Sequence, residues 1–248
     1  MEKVLLEFKN EVAWLTIHRP EKRNAIDYDV MDLVDEKLNI VDLRNDIKVL
    51  VVTGEGTEAF CSGGDLSVFH NIHTKVEAEK MLSKMAKVLM RIFFFSKPTI
   101  AYLNGTAVGG GCEIATACDF RIAAKNVKLG FIQGKLGITT GWGGSTYLLE
   151  RINRKEALQL LMTAEVFDAK KGLEVGFIDY IYDCAQLQSW LARFTKPPLG
   201  VILAYKQRYL AKYDQEEIHH RVLAEIDSCS SLWETPEHHE AVAHFINK

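Results

Sequence analysis

An α/β fold is predicted by three features of the sequence. Short apolar runs ending in glycine, 47-IKVLVVTG-54 and 98-PTIAYLNG-105, alternate with segments of helical spacing. Runs that are apolar at consecutive positions fit strands buried on both faces of a parallel sheet. Hydrophobic residues make up 48% of the 248, enough to bury a full core. The length fits one large domain, or one domain with a small appendage.

Each element follows in order. KVLLEF and VAWLTI alternate about a turn at Lys9-Asn10 and predict a strand pair. HRPEKRNAIDYD, with one proline and turn-forming polar residues, predicts a loop. Val30, Leu33, Val34, Leu38 and Val41 predict a helix over 29–43. The strand IKVLVVTG follows, then a helix over 75–95, the strand PTIAYL, a helix over 112–120 and a short strand FRIAA. This strand–loop–helix rhythm is that of an α/β core. Residues 154–163 and 168–175 predict helices joined by a turn at Val166-Phe167-Asp168, and 176-GFIDYIYD-183 a last short strand. Lys196-Pro197-Pro198 is the best linker candidate. It divides a core, 1–195, from a C-terminal region, 196–248, with helices over 199–226 and 235–246. There is no internal repeat.

Several functions are disfavoured by composition. The net charge is −3 and no basic run exceeds a pair, which gives no support for a nucleic-acid surface. No apolar stretch approaches the roughly 18 residues of a membrane span. The N-terminal MEKVLLEFKNEVAWLTI carries charges where a signal peptide needs an apolar core, so mature protein is expected. Cys61, Cys112, Cys118, Cys184 and Cys229 are odd in number and form no CxxC pair, which suggests neither a disulfide framework nor a zinc site. A reducing, cytoplasmic compartment is the simplest expectation. His70 and His73 have an i, i+3 spacing but no Glu or Cys to complete a site; they read as surface, and no metal is expected.

Two glycine-rich loops follow strand ends: 59-AFCSGGDLSVF-69 and 104-NGTAVGGGCE-113. In parallel α/β architecture such loops line the binding crevice. Glycine there allows backbone N–H groups to face a ligand, and a bare helix N-terminus adds positive dipole. Gly110 opens the helix that carries Glu113, so its N–H is one of that helix's unsatisfied donors. Two such groups, one from each loop, would form an oxyanion hole, where losing one donor costs about 10²–10³ in rate. The competing reading is an ordinary glycine-rich turn. A phosphate site is disfavoured, because no G-x-G-x-x-G opens a helix and no Gly-Lys-Ser/Thr P-loop exists.

Four segments in fixed order carry a resemblance that runs almost end to end: R19-P-E-K-R-N-A-I26, A59-F-C-S-G-G-D-L66, G105-T-A-V-G-G-G-C-E-I-A-T-A-C-D119 and L136-G-I-T-T-G-W-G-G144. Together they resemble the crotonase (enoyl-CoA hydratase/isomerase) superfamily. That resemblance implies a crotonase/ClpP-like spiral of ββα units with a C-terminal helical region, assembled as homotrimers or hexamers. It implies an acyl-CoA thioester substrate and no cofactor beyond the substrate's own CoA moiety. By motif position, Ser62 and Gly110 would donate to the thioester oxygen. Ser62, Gly63, Gly64 and Asp65 would cradle the CoA adenine, and loop residues from Lys22 to Ala25 would line the CoA site.

Hydratases of the superfamily carry two glutamates that activate one water. The resemblance matches the first to Glu113 and places the second eleven residues before Gly144, at Gln133. Glutamine can hydrogen-bond but cannot act as a proton acid or base. The combination S-G-G-D, A-C-D-F-R, K-L-G-I and G-W-G-G is similar to ethylmalonyl-CoA decarboxylase-like members, as are Trp190-Leu191 ahead of Pro197-Pro198 and the late Trp233. Decarboxylation of an alkylmalonyl-CoA gives the same thioester enolate and needs no water-activating base. A neutral Gln133 would also avoid repelling the substrate carboxylate. Glu113 is then a proton donor with its pKa raised by burial, or a structural carboxylate. Hydration or isomerisation through Glu113 and non-catalytic acyl-CoA binding are the alternatives. Asp65 is expected to cap a helix or shape its loop, Asp119 to fix core backbone, and Trp142 to line the acyl pocket or pack. Cys61 and Cys112 read as small apolar fillers.

Overall fold

The computed structural model describes residues 2–246. Strands β1 (Val4–Lys9) and β2 (Val12–Ile17) form an antiparallel hairpin in which Lys9 faces Val12. Asn10 and Glu11 turn it with φ of 52° and 62°, the left-handed pair that matches strand twist. Helix α1 (Tyr28–Asp42) is capped by Asp27, whose side chain accepts from Val30 N–H, and buries the predicted Val30, Val34, Leu38 and Val41. Strand β3 (Val49–Gly54) is buried at every position, as its continuous apolar run predicts.

The chain continues through β4 (Ala59–Cys61), the single turn α2 (Leu66–Phe69) and the long α3 (Lys75–Phe93). A capping box between Thr74 and Glu77 starts α3. Then come β5 (Thr99–Leu103), β6 (Thr106–Val108), α4 (Gly110–Ala117), β7 (Phe120–Ala123) and β8 (Lys128–Gly130). A 3-10 turn, Ile132–Leu136, leads to α5 (Gly144–Arg151) and α6 (Arg154–Thr163). The remainder is β9 (Phe167–Asp168), α7 (Ala169–Glu174), β10 (Tyr180–Ile181), α8 (Cys184–Thr195), α9 (Leu199–Leu210), α10 (Gln215–Trp233) and α11 (Pro236–Ile246).

Two sheets result. The larger has the order β1-β2-β3-β5-β7-β10, parallel from β2 onward; the smaller has the order β4-β6-β8-β9. In successive units the chain adds a long strand to the first sheet, a short one to the second, then a helix. Both glycine-rich loops therefore leave the same edge, after β4 and after β6, which pair in parallel. One core joins the sheets to α1, α3, α4 and α10. A second, aromatic cluster lies on the other face of the large sheet, where Trp190 of α8 packs edge-on against Phe120.

Three sequence expectations need correction. The Val166-Phe167-Asp168 turn contains β9, which pairs with β8. The strand over 176–183 shrinks to Tyr180–Ile181, because Gly176 adopts φ 79° and turns the chain first. The helix over 199–226 is two helices. It breaks before Asp214, whose side chain caps α10 by accepting from Glu216 and Glu217 N–H.

Candidate active site

The first loop, Ser62–Asp65, is tied to the 19–26 segment. Ser62 N–H donates to Arg23 O at 3.1 Å, Ile26 N–H to Gly63 O at 2.9 Å, and Asp65 N–H to Ile26 O at 2.8 Å. Beneath it, Arg19 is buried and donates through Nη1 to Ala25 O and through Nη2 to Asp65 Oδ2, at 2.7 and 2.8 Å. Asp65 Oδ1 accepts from Ser67 N–H, so one carboxylate both caps α2 and anchors the loop. The burial of Asp65 works against its charge. The Ser67 and Arg19 hydrogen bonds outweigh that and hold the carboxyl below its ordinary range. This bonding bears on Ser62, expected as a donor to the thioester oxygen. Its N–H is held by Arg23, whereas the Gly64 N–H makes no hydrogen bond among the described residues.

Each glycine of the triplet has its own reason. Gly109 adopts φ 55°. A Cβ on Gly110 would lie 2.1 Å from the Trp142 ring, and one on Gly111 would lie 2.1 Å from Cys61 O. The triplet thus lets β4 and the indole close on the start of α4. The Gly110 N–H belongs to the first turn of α4 and has no partner among the described residues, as the sequence suggests. The loops meet here: a Cβ on Gly63 would stand 3.1 Å from Gly110 N.

A cavity of about 540 Å³ opens over this junction. It is lined by Lys22, Ala25, Ser62, Gly63, Gly64, Asp65, Gly110, Glu113 and Gln133, so the fold brings every sequence-predicted site residue together. Met81, Leu82, Trp142, Trp233 and Phe245 add apolar surface to its lining. Trp142 both lines the cavity and packs on Gly110, so its two readings coincide.

Glu113 is 3% exposed and fully hydrogen-bonded. Its Oε1 accepts from Gln133 Nε2 at 2.9 Å; its Oε2 accepts from Trp142 N–H at 2.8 Å and Gly144 N–H at 3.0 Å. Burial, reinforced by the charge of Glu225, pushes its pKa up to about 8. The hydrogen bonds from Trp142, Gly144 and Gln133 oppose this rise without cancelling it. The Gln133 carbonyl oxygen is buried and has no partner among the described residues.

Sequence reasoning missed Glu225. It lies on α10 and accepts from Gly143, Ser145 and Thr146 N–H and from both hydroxyls of Ser145 and Thr146. A signal existed: Ile218, Val222, Ile226 and Cys229 form a buried helical stripe, and Glu225 lies within it. A carboxylate on an apolar stripe needs donors from elsewhere.

The expectations for Asp119, Cys61 and Cys112 fall into place. Asp119 accepts from Thr99 N–H at 2.9 Å and pairs with buried Lys206, which fixes core backbone. Burial pushes the Cys61 and Cys112 thiols up to about 12, consistent with inert fillers. His70 and His73 join no metal-ligating group among the described residues. No helix among the described residues is long and apolar enough to cross a membrane.

Comparison with known proteins agrees with this geometry. A short-chain-enoyl-CoA hydratase of Clostridium acetobutylicum is 30% identical over 253 residues, covering 100% of this chain and 96% of that protein. An ethylmalonyl-CoA decarboxylase of Bos taurus is 32% identical over 241 residues, covering 94% of this chain and 78% of that protein. The crystal structure of an enoyl-CoA hydratase from Bacillus halodurans superposes with a TM-score of 0.89 at 24% identity, over 98% of this chain and 99% of that one, and shows the same fold. The enoyl-CoA hydratase/isomerase family model matches residues 7–248. With the two glycine loops meeting over one cavity, this places the chain in the enoyl-CoA hydratase/isomerase family of the crotonase superfamily.

Proposed function

We propose that the protein is an acyl-CoA enzyme working through a thioester enolate, with decarboxylation of an alkylmalonyl-CoA as its reaction. The observation that carries this is the Glu113–Gln133 pair: one buried carboxyl of raised pKa, hydrogen-bonded to a neutral amide where a second carboxylate would activate water. The Gly64 and Gly110 N–H groups would donate to the thioester oxygen as negative charge develops on it. The C–C bond to the substrate carboxylate breaks, CO₂ leaves, and the electron pair enters the enolate. Glu113 then donates its proton to the α-carbon and is reprotonated from solvent. The Gln133 amide can turn over. Its NH₂ then meets the substrate carboxylate while its oxygen accepts the Glu113 O–H, which gives the unpartnered carbonyl a role.

The CoA moiety is read as held by Lys22, Ala25 and the Ser62–Asp65 loop, with no other cofactor. Assembly as a homotrimer or hexamer belongs to the same reading, and five free cysteines support a cytoplasmic location. The second reading, hydration with ionised Glu113 as base and Gln133 only orienting water, is favoured by the hydratase similarity over the whole chain. Incubation with ethylmalonyl-CoA and with crotonyl-CoA, followed by mass spectrometry, separates them. Loss of CO₂ from the first, abolished by Glu113→Gln, is expected. Rapid hydration of the second without decarboxylation would overturn the ranking. Tight acyl-CoA binding without turnover of either would mean a binding protein.

A further inference from the structure

The start of α5 serves two buried carboxylates in alternation. Trp142 and Gly144 N–H donate to Glu113; Gly143, Ser145 and Thr146 N–H donate to Glu225. The positive end of a helix amounts to about half a unit charge. Two full negative charges beside it exceed what it compensates, and burial leaves their mutual repulsion weakly screened. The donors are unequally divided. Glu225 takes three N–H groups and two hydroxyls; Glu113 takes two N–H groups and the Gln133 amide. The larger set of donors therefore favours negative charge on Glu225 over negative charge on Glu113.

The remaining groups that face the pair do not disturb this division. They are the Tyr147 hydroxyl on α5, the Cys112 thiol on α4, the Cys229 thiol on α10 and the Gln133 amide. Burial pushes the first three upward, so all four are neutral near pH 7. Arg221, one turn before Glu225 on α10, is directed to Glu150 and to the Thr146 carbonyl. From α3 the cavity receives Met81 and Leu82, which carry no charge.

We propose that Glu225 is a positioning residue for this site: it takes the larger share of the α5 donors, stands as the fixed charge, and thereby keeps the proton on Glu113. The proposal rests on the reading of Glu113 as the proton donor. It assigns a role to a side chain that lies behind the α5 turn and outside the cavity lining.

The test is carboxyl ¹³C NMR of the full chain labelled at glutamate, without substrate, with Glu113→Gln to assign the signal. Glu113 is expected to ionise near pH 8 in the wild type, and about one pH unit or more lower in Glu225→Gln. An unchanged midpoint in folded Glu225→Gln overturns the proposal. If that variant does not fold, the wild type answers: ionisation of Glu113 must move the Glu225 carboxyl resonance at the same midpoint, and independent behaviour overturns the proposal. Ethylmalonyl-CoA turnover against pH is read in parallel, and its alkaline limb should shift down in the variant. Absence of turnover with the titration shift intact would reject the assigned reaction and leave the Glu225 role standing.

Discussion

Gln133 Nε2 donates to Glu113 Oε1 at 2.9 Å, and no group among the described residues donates to the Gln133 carbonyl oxygen. A neutral amide at this distance is what allows Glu113 to stay buried with a single neighbouring charge, that of Glu225. Replacing it by a carboxylate adds another charge in direct contact. Close like charges repel by about 4 kcal/mol at the effective dielectric of a protein surface, and more when dry. Gln133→Glu is therefore expected to lower ethylmalonyl-CoA decarboxylation by about 10²-fold or more, through repulsion of the substrate carboxylate. It should raise crotonyl-CoA hydration, because a two-carboxylate water site is restored. Steady-state kinetics on the two substrates check both directions.

Gly110 carries a steric argument as well as an electronic one. A methyl group there would meet three atoms of the Trp142 ring, at 2.1, 2.6 and 2.8 Å. The indole cannot retreat freely, because the adjoining backbone holds Glu113 through the Trp142 and Gly144 N–H groups. Gly110→Ala should cost about 1–3 kcal/mol of stability in urea denaturation. It should also reduce turnover, since the α4 start must shift. Combining it with Trp142→Leu, which vacates the ring, should recover part of the stability, a non-additivity expected of residues in contact.

Burial of Glu113 also has a pH signature in stability. Its folded pKa, about 8, lies above the ordinary value of 4.5. The folded state therefore binds the proton more tightly, and stability is lost as pH rises from the unfolded pKa through the folded one. Below about 4.5 both states are protonated and the group contributes no pH dependence; above about 8 the full cost of ionising it is present. In Glu113→Gln the amide stays neutral throughout. The variant should gain stability relative to the wild type between these limits, as measured by the denaturation midpoint at pH 5 and at pH 9.

The sequence carried much of this site because its parts are local. A buried strand needs consecutive apolar residues, so β3 and β5 were legible, and the glycine loops lie directly behind strands. What escaped depended on contacts made at long range. The short strands β4, β6, β8 and β9 contain two or three residues each, too few for a period to register. The glycine loop by itself does not distinguish the Ser62 and Gly64 N–H groups; the Arg23 carbonyl, brought in from the 19–26 segment, does. Glu225 reaches α5 from about eighty residues further on, a relation that no local pattern records.

Arg19 and Asp65 offer the last prediction, on how the 62–65 loop is held. Arg19 Nη2 donates to Asp65 Oδ2 at 2.8 Å, and Asp27 Oδ2 stands 3.3 Å from the same nitrogen. Arg19 thus faces two carboxylates, whereas Asp65 has no other cationic partner among the described residues. Removing one member of a buried pair costs about 3–5 kcal/mol, because the other is left uncompensated. Asp65→Ala should fall at the lower end, since Asp27 remains for Arg19, with about 1 kcal/mol more from the lost α2 cap. Arg19→Met should cost at least as much, because Asp65 then keeps only Ser67. The double variant should lose less than the sum, as urea denaturation will show. The Asp65 carboxyl is held below its ordinary range, so its stabilisation is complete above the usual carboxylate pKa and disappears as pH falls through the lowered one. Ile26 donates its N–H to Gly63 O and accepts at its carbonyl from Asp65 N–H, on either side of Gly64, so both single variants should also weaken acyl-CoA binding, measured by calorimetry near neutral pH. Unchanged affinity in a folded Arg19→Met variant would show that the 62–65 loop keeps its geometry without this pair.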